Sequence, residues 1–270
     1  MKLAIQEDML PGATPLEKCE QAKALGIQGI EYWGAGLTPR VPEIVAAIEK
    51  TGVSAAAVNY GTQGRLIEAD RPTREAALAA FRESVINAVD LHAAGVVVVP
   101  HYGPPAVPDL TPYKSVIQLQ HELLHNHLRT LSDYVYAIGV EFYIQPVNRY
   151  ETQFINTLAD AVRVRRRIKD HPHVKIAPDT FHMALEEIDP AKAIGECATD
   201  IGYLHVADSN RRLPGRGLTN FAAIATALRE GGYDGWVTLS CGQPGQNAEF
   251  ATHILNELPA SIEVLKQAGF

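Results

Sequence analysis

Polar side chains capable of proton transfer or cation binding stand at the ends of short β-branched runs along this 270-residue chain: Glu31, His101, Gln145, Asp179, His205, Asp208, and the neighbours Ser240 and Cys241. Carboxylates and imidazoles move protons near neutral pH and ligate divalent cations, while an amide such as Gln145 donates and accepts without carrying charge. The intervals from 145 to 179, 179 to 205 and 205 to 240 are each close to one strand plus one helix. Side chains so spaced recur at the same end of successive parallel strands and can converge. A polar amide at the end of a buried strand also needs hydrogen-bond partners, which points Gln145 at other polar groups.

The elements that must position these residues follow from periodicity. Strand-like runs fall at 3–6, 29–33, 53–60, 95–101, 140–147, 174–179, 201–208 and 235–241, bounded by Gly, Pro and Asn. Amphipathic segments at 15–25, 42–51, 73–93, 115–138, 156–169, 221–230 and 247–266 read as helices between them. Alternating strand and helix requires a parallel sheet covered by helices. Eight strands in about 250 residues favour a closed barrel over an open sheet, and no GxGxxG or Walker loop supports the usual open-sheet uses. The expectation is an α/β fold, a single (β/α)8 TIM barrel spanning 1–270. The proline-rich stretch around 103–112 then becomes a long loop after the fourth strand, and the catalytic mouth lies where the strands end.

Composition narrows the function classes. The formal charge of -7, from 24 Lys+Arg against 31 Asp+Glu, lacks the cationic footprint of a nucleic-acid binder. Cys19, Cys197 and Cys241 are scattered and form no CxxC pair, which fits a reducing cytoplasm better than a disulfide framework. The N-terminal apolar run is too short for a secretion signal, and no stretch approaches the ~18 apolar residues of a membrane span. A cytoplasmic protein with a small-molecule partner, no nucleic acid and no membrane is expected, with homo-oligomerisation left open.

Four ordered segments carry a resemblance: 145–151 (QPVNRYE), 179–183 (DTFHM), 205–211 (HVADSNR) and 214–217 (PGRG). Together they resemble the xylose-isomerase-like TIM barrels, in particular the ketose 3-epimerase and sugar-phosphate isomerase branch. The match is specific from about 140 to 211 and looser through GYDG at 232–235 to strand eight. The resemblance implies a divalent metal (manganese, magnesium or zinc) held by Glu, Asp, His and Glu at the ends of strands five to eight. It also implies that the two glutamates move protons on opposite faces of a sugar. Carried over by motif, Asp179 and His205 are metal ligands, and Glu151, His182 and Arg211 contact the substrate.

The chain departs from that pattern at both glutamates, where it has Gln145 and Ser240. Asp179 is left as the only charged ligand, so hard cations should bind weakly or not at all, with zinc the better candidate. A one-residue slip of strand eight would present Cys241 in place of Ser240, giving a thiolate beside His205 and Asp179. The catalytic set is therefore expected to be Gln145, Asp179, His205 and Asp208. Glu151, His182, Arg211, His101 and Glu31 would bind substrate, and Asp179, His205 and Gln145 would be the residual metal ligands. Trp33, Tyr32 and Tyr60 could wall the sugar's carbon face, and core packing explains them equally well.

Two further patterns have simpler readings. His121, Glu122 and His125 satisfy HExxH, but a barrel places this helix on the outer ring, away from the mouth. Arg163, Arg165, Arg166, Arg167 and Lys169 read as a solvated helix face. The sequence predicts a sugar isomerase or epimerase acting on a small keto-sugar or polyol, with a depleted metal and proton-transfer site. The alternatives are a catalytically silent sugar-binding or regulatory barrel, a lyase on a keto-sugar, and an apurinic-endonuclease-like phosphodiesterase. The last would need a richer His/Asp/Glu cluster and a basic groove.

Overall fold

The inward and outward faces of eight short strands organise the molecule. A computed structural model describes residues 1–61, 65–242 and 248–270. The strands are β1 (Lys2–Gln6), β2 (Gly29–Trp33), β3 (Ser54–Asn59), β4 (Gly95–Val98), β5 (Glu141–Ile144), β6 (Val174–Ile176), β7 (Tyr203–Val206) and β8 (Trp236–Leu239). All pairings are parallel, in the order β6-β5-β4-β3-β2-β1-β8-β7. The seam between β6 and β7 is closed by single bridges, Ile176 to Ile201 and Asp179 to His205, and by His205 N–H donating to the Pro178 carbonyl at 2.9 Å. The expected TIM barrel is the observed fold, and its closing stitch joins two predicted site residues.

Around the sheet run α1 (Pro15–Ala24), α2 (Val41–Thr51), α3 (Arg71–Asp90), α4 (Val116–Ile138), α5 (Leu158–Arg167), α6 (Thr180–Glu186), α7 (Pro190–Cys197), α8 (Phe221–Glu230), α9 (Ala248–Leu255) and α10 (Leu258–Ala268). Two features depart from the sequence reading. The expected set had no helix between strands six and seven, where α6 and α7 stand. These are short helices split at Asp189 and Pro190, too brief for a helical period to show, and each is capped by an aspartate, Asp179 or Asp189. The single helix expected over 247–266 divides before Leu258, with Pro259 in the first turn of α10; position 247 lies outside the described residues.

Strand residues facing outward join the helices in one large apolar core, whereas the barrel's interior is a smaller cluster of Ala4, Ala56, Ala57, Val97, Tyr143, Ala177, Tyr203 and Trp236. Tyr143 and Tyr203 stack across the interior at 5.3 Å, and the Thr238 and Tyr203 hydroxyls bond at 2.6 Å. Glycines make room for these rings. A Cβ at Gly29 would lie 2.7 Å from the Trp236 ring, and one at Gly95 would lie 2.4 Å from the Glu141 carbonyl oxygen. The aromatic plug fills the barrel below the site, so that the polar residues form a floor rather than a channel.

Leu124, Leu128, Leu131 and Val135 form the buried stripe of α4. On its other faces Glu122 pairs with exposed Lys114, and His121 packs on Phe154, so the HExxH pattern forms no site. The arginine-rich face of α5 is not uniformly solvated: Arg165 turns inward, donating to the Val174 carbonyl and pairing with Asp200. No helix among the described residues is long and apolar enough to cross a membrane.

Candidate active site

The site is built from the last inward residue of several strands and the first residues of the loops that follow. Alternation along β2 turns Glu31 inward. Its carboxylate is fully enclosed: Gln6 Nε2 and Asn59 Nδ2 each donate to Oε1 at 2.9 Å, and Oε2 meets His205 Nε2 at 2.7 Å. Burial pushes the Glu31 pKa up, but the charge and hydrogen bond of His205, with the two amide donors, hold it below the ordinary value. Burial opposes charge on His205 as well. Glu31 on one side and Asp179 on the other outweigh it and raise the imidazole's pKa.

The other ring nitrogen, His205 Nδ1, is buried without a hydrogen-bond partner and lies 3.9 Å from Asp179 Oδ2. Asp179 is divided in its duties. Its Oδ1 caps α6, accepting from Phe181 N–H at 2.9 Å and His182 N–H at 3.4 Å, while Oδ2 faces the pocket, where Gln145 Nε2 donates to it at 3.3 Å. The result is a buried row of anion, imidazole and anion: Glu31, His205, Asp179.

His182 stands beside this row. Its Nδ1 accepts from Asn148 N–H at 3.1 Å and meets Asn148 Nδ2 at 2.8 Å, so the proton of the neutral ring belongs on Nε2, 3.9 Å from Asp179 Oδ2. Burial lowers the His182 pKa against the pull of Asp179, keeping the ring neutral. Arg211 approaches from the loop after β7. Its backbone is left-handed at φ 63°, its guanidinium lies over the Phe181 ring at 5.0 Å, and Nη1 bonds Glu151 Oε1 at 3.1 Å. A non-glycine residue held at positive φ is strained backbone stabilised by its surroundings. Tyr102, a phenol whose pKa burial raises, and Trp33 complete the wall.

The resulting pocket brings together Gln145, Asp179, His182, His205, Arg211 and Ser240 from the expected set. Glu151 reaches it through Arg211, and Glu31 lies one layer beneath it as the support of His205 rather than as a surface that touches ligand. Asp208 is not free for acid–base work: Oδ1 accepts from Ser209 and Thr219 N–H, and Oδ2 from Gly215 N–H, so its carboxylate ties the loop together. His101 bonds the Pro104 carbonyl through Nε2 at 2.8 Å and anchors the loop after β4, outside the pocket lining.

Strand eight is in the register that points Ser240 inward. Cys241 turns away, its thiol toward the Val206 carbonyl, and burial pushes its pKa far up, so the thiolate alternative fails. Tyr32 contacts Cys19, and the Tyr60 hydroxyl donates to the Ala77 carbonyl, so both belong to the outer core and only Trp33 of the expected aromatic wall is present. Gln6, Asn59, Asn148 and Tyr102 were missed. The first two sit at strand ends like the residues that were found, and that position was the available signal.

The donor set does not fit the divalent metal that the family pattern implies. Among the described residues no three His, Cys, Asp or Glu side chains come together around a point. One carboxylate oxygen, one imidazole nitrogen, an amide and a hydroxyl offer a single negative charge, where a hard cation requires several oxygen anions.

Comparison with known proteins agrees with this architecture. A protein of Escherichia coli strain K12, 3-dehydro-D-guloside 4-epimerase, is 31% identical over 241 residues, covering 88% of this chain and 90% of its own. The crystal structure of the E. coli 3-keto-D-glucoside 4-epimerase superposes with a TM-score of 0.86 at 28% identity, covering 99% of each chain. D-psicose 3-epimerase of Ruminiclostridium cellulolyticum is 37% identical over 112 residues, 42% of this chain and 38% of that protein. The model of the xylose isomerase-like TIM barrel family matches residues 19–268. The chain is therefore a member of the xylose isomerase-like TIM barrel family.

Proposed function

We propose that this protein is a sugar isomerase that works on a keto-sugar without a bound divalent metal, moving protons with His205 and Asp179. The observation that carries the reading is the unpartnered His205 Nδ1, held by Glu31 from behind and facing Asp179 Oδ2 across a 3.9 Å gap. The relatives that act on a dehydro-guloside and on psicose support the substrate class.

A sugar carbonyl oxygen seated beside His205 accepts the Nδ1–H of the imidazolium, with the Gln145 amide as a second donor. Asp179 Oδ2 takes the proton from the adjacent carbon. The C–H electron pair becomes the C=C bond of an enediol as the carbonyl oxygen receives the His205 proton. Reprotonation at the neighbouring carbon by Asp179, with the hydroxyl proton returning to His205, completes an aldose–ketose interconversion. The Nε2–H of His182 and the guanidinium of Arg211 orient hydroxyls. A single carboxylate returns the proton to the face it left, which favours isomerisation over inversion of a carbon centre.

The neutral residues Gln145 and Ser240, standing where the family has its glutamates, favour a second reading, a barrel that binds sugar and does no chemistry. Proton NMR in D2O, with chelator-treated protein and a panel of ketoses and aldoses, separates the two. Deuterium entering at the carbon next to the carbonyl, and lost in Asp179→Asn, is the expected result. Saturable binding with no exchange for any bound sugar establishes the silent barrel instead.

A further inference from the structure

The pocket above Asp179 and His205 is tight, about 30 Å3, the scale of one water molecule or one sugar oxygen. Next to it lies a second chamber of about 510 Å3, and Arg211 and Gly242 line both. Its lining includes the apolar side chains of Leu213, Phe250 and Ile254. The same lining carries Arg211, Arg212 and Arg216, with His253, and Glu257 is the one acid among the described lining residues. In a chain whose net charge is -7, three arginines around one cavity are a local reversal of sign.

The arginines are not equivalent. Arg211 is committed to Glu151 at 3.1 Å, and Arg216 to Glu257 at 3.1 Å. Arg212 has its backbone fixed, its N–H donating to Asn210 Oδ1 at 3.1 Å and its carbonyl accepting from Asp208 N–H at 2.8 Å, while its side chain is exposed. Among the described residues the chamber thus offers one guanidinium with no carboxylate partner, that of Arg212, and a second, Arg216, whose partner Glu257 is itself partly exposed. Guanidinium groups bind phosphate and carboxylate in bidentate fashion. The position, between the loop after strand seven and the short helix α9 that follows strand eight, is where barrel enzymes often hold phosphate.

We propose that this chamber is an anion subsite: the substrate is a sugar bearing a phosphate or carboxylate group, seated against Arg212 and Arg216 while its carbonyl end lies beside His205. The assignment rests on the sugar-isomerase reading for the carbonyl end, but the subsite can be tested apart from it. Calorimetric titration and thermal shift would use four probes: inorganic phosphate, a ketohexose, its 6-phosphate and a hexuronate. The expected result is at least tenfold tighter binding of one anionic sugar than of the ketohexose, with inorganic phosphate competing. Whether the 6-phosphate or the hexuronate wins identifies the anion. In Arg212→Ser and in Arg212→Ser/Arg216→Gln the ratio of anionic to neutral affinity falls toward one. Phosphate binding that is lost in these variants, in a protein that binds none of the three sugars, upholds the subsite and sinks the sugar-isomerase reading. Equal affinity for neutral and anionic sugars, a preference that survives the double variant, or no binding of phosphate or of either anionic sugar overturns the subsite.

Discussion

Replacing Glu31 by Gln tests the central arrangement without changing the shape of the side chain. The carboxylate accepts three hydrogen bonds, two on Oε1 and one on Oε2, and both Glu31 and His205 are 1% exposed. An amide has one oxygen, so its NH2 must face either the paired amides of Gln6 and Asn59 or the Nε2–H of His205. Removing one member of a buried ion pair typically costs about 3–5 kcal/mol, because the other charge is left uncompensated. Here His205 escapes part of that cost by losing its proton, so about 3 kcal/mol is expected, a fall in Tm of roughly 6–12 °C for a chain of this size.

The sign of the pH dependence follows from the two shifts. Glu31 is depressed, so its contribution is present above the unfolded glutamate pKa of about 4.3 and is lost as the pH falls through the folded value. His205 is raised, so its contribution is complete below the unfolded histidine pKa of about 6.5 and is lost as the pH rises through the folded value. The gap between wild type and Glu31→Gln is therefore widest between about pH 4.5 and 6.5 and narrows in alkali. Urea unfolding at pH 5.5 and pH 9 measures it. A variant within about 1 kcal/mol of wild type at pH 5.5, or a gap of equal size at both pH values, would refute the charge-paired account of His205.

Three other expectations follow from the same geometry. Gln145→Glu/Ser240→Glu adds two carboxylates beside Asp179 and His205 and should tighten Mn2+ binding by at least about 100-fold in calorimetric titration; an unchanged affinity means these side chains do not converge on one point. Cys241, buried and with its thiol pKa pushed up, should stay unreactive toward a thiol-specific disulfide reagent at pH 8 until the protein unfolds, and rapid native modification would place it at the surface. Gly95→Ala should destabilise the barrel by about 1–3 kcal/mol in urea, because the new methyl would meet the Glu141 carbonyl and the Tyr143 ring; a neutral result would show that the plug is loosely packed.

What the sequence made legible was position along a strand. Period-two alternation and the spacing of strand-plus-helix units placed Glu31, Gln145, Asp179, His205 and Ser240 around one axis, and a barrel is the fold that makes them meet. The same reasoning could not tell where the oxygens of a side chain go. Asp208 and Asp179 both follow strands and look alike in a sequence, yet Asp208 gives its two oxygens to backbone N–H groups of its own loop, while Asp179 keeps one for the pocket. The difference depends on the return path of the loop through Gly215 and Thr219, which no local pattern encodes. Likewise strand-end position makes Glu31 look like a ligand contact because it gives no depth, and depth here is set by His205, which lies between Glu31 and the pocket.

The absence of two carboxylates has an electrostatic consequence that the rest of the site is built to meet. Glu31 and Asp179 flank His205, and two buried negative charges at this separation need positive charge between them. With neutral Gln145 and Ser240 in the remaining corners, a proton on the imidazole supplies it, and no further cation is required for charge balance. Each added carboxylate would upset that balance in the direction that attracts a metal. The surrounding polar groups follow the same logic: Gln6 and Asn59 direct N–H bonds at Glu31, Gln145 directs one at Asp179, and Asn148 leaves His182 neutral, so that its Nε2–H also turns toward Asp179. A pocket arranged in this way binds oxygen atoms through N–H donors. The sugar carbonyl proposed above, with its neighbouring hydroxyls, matches such a set of donors.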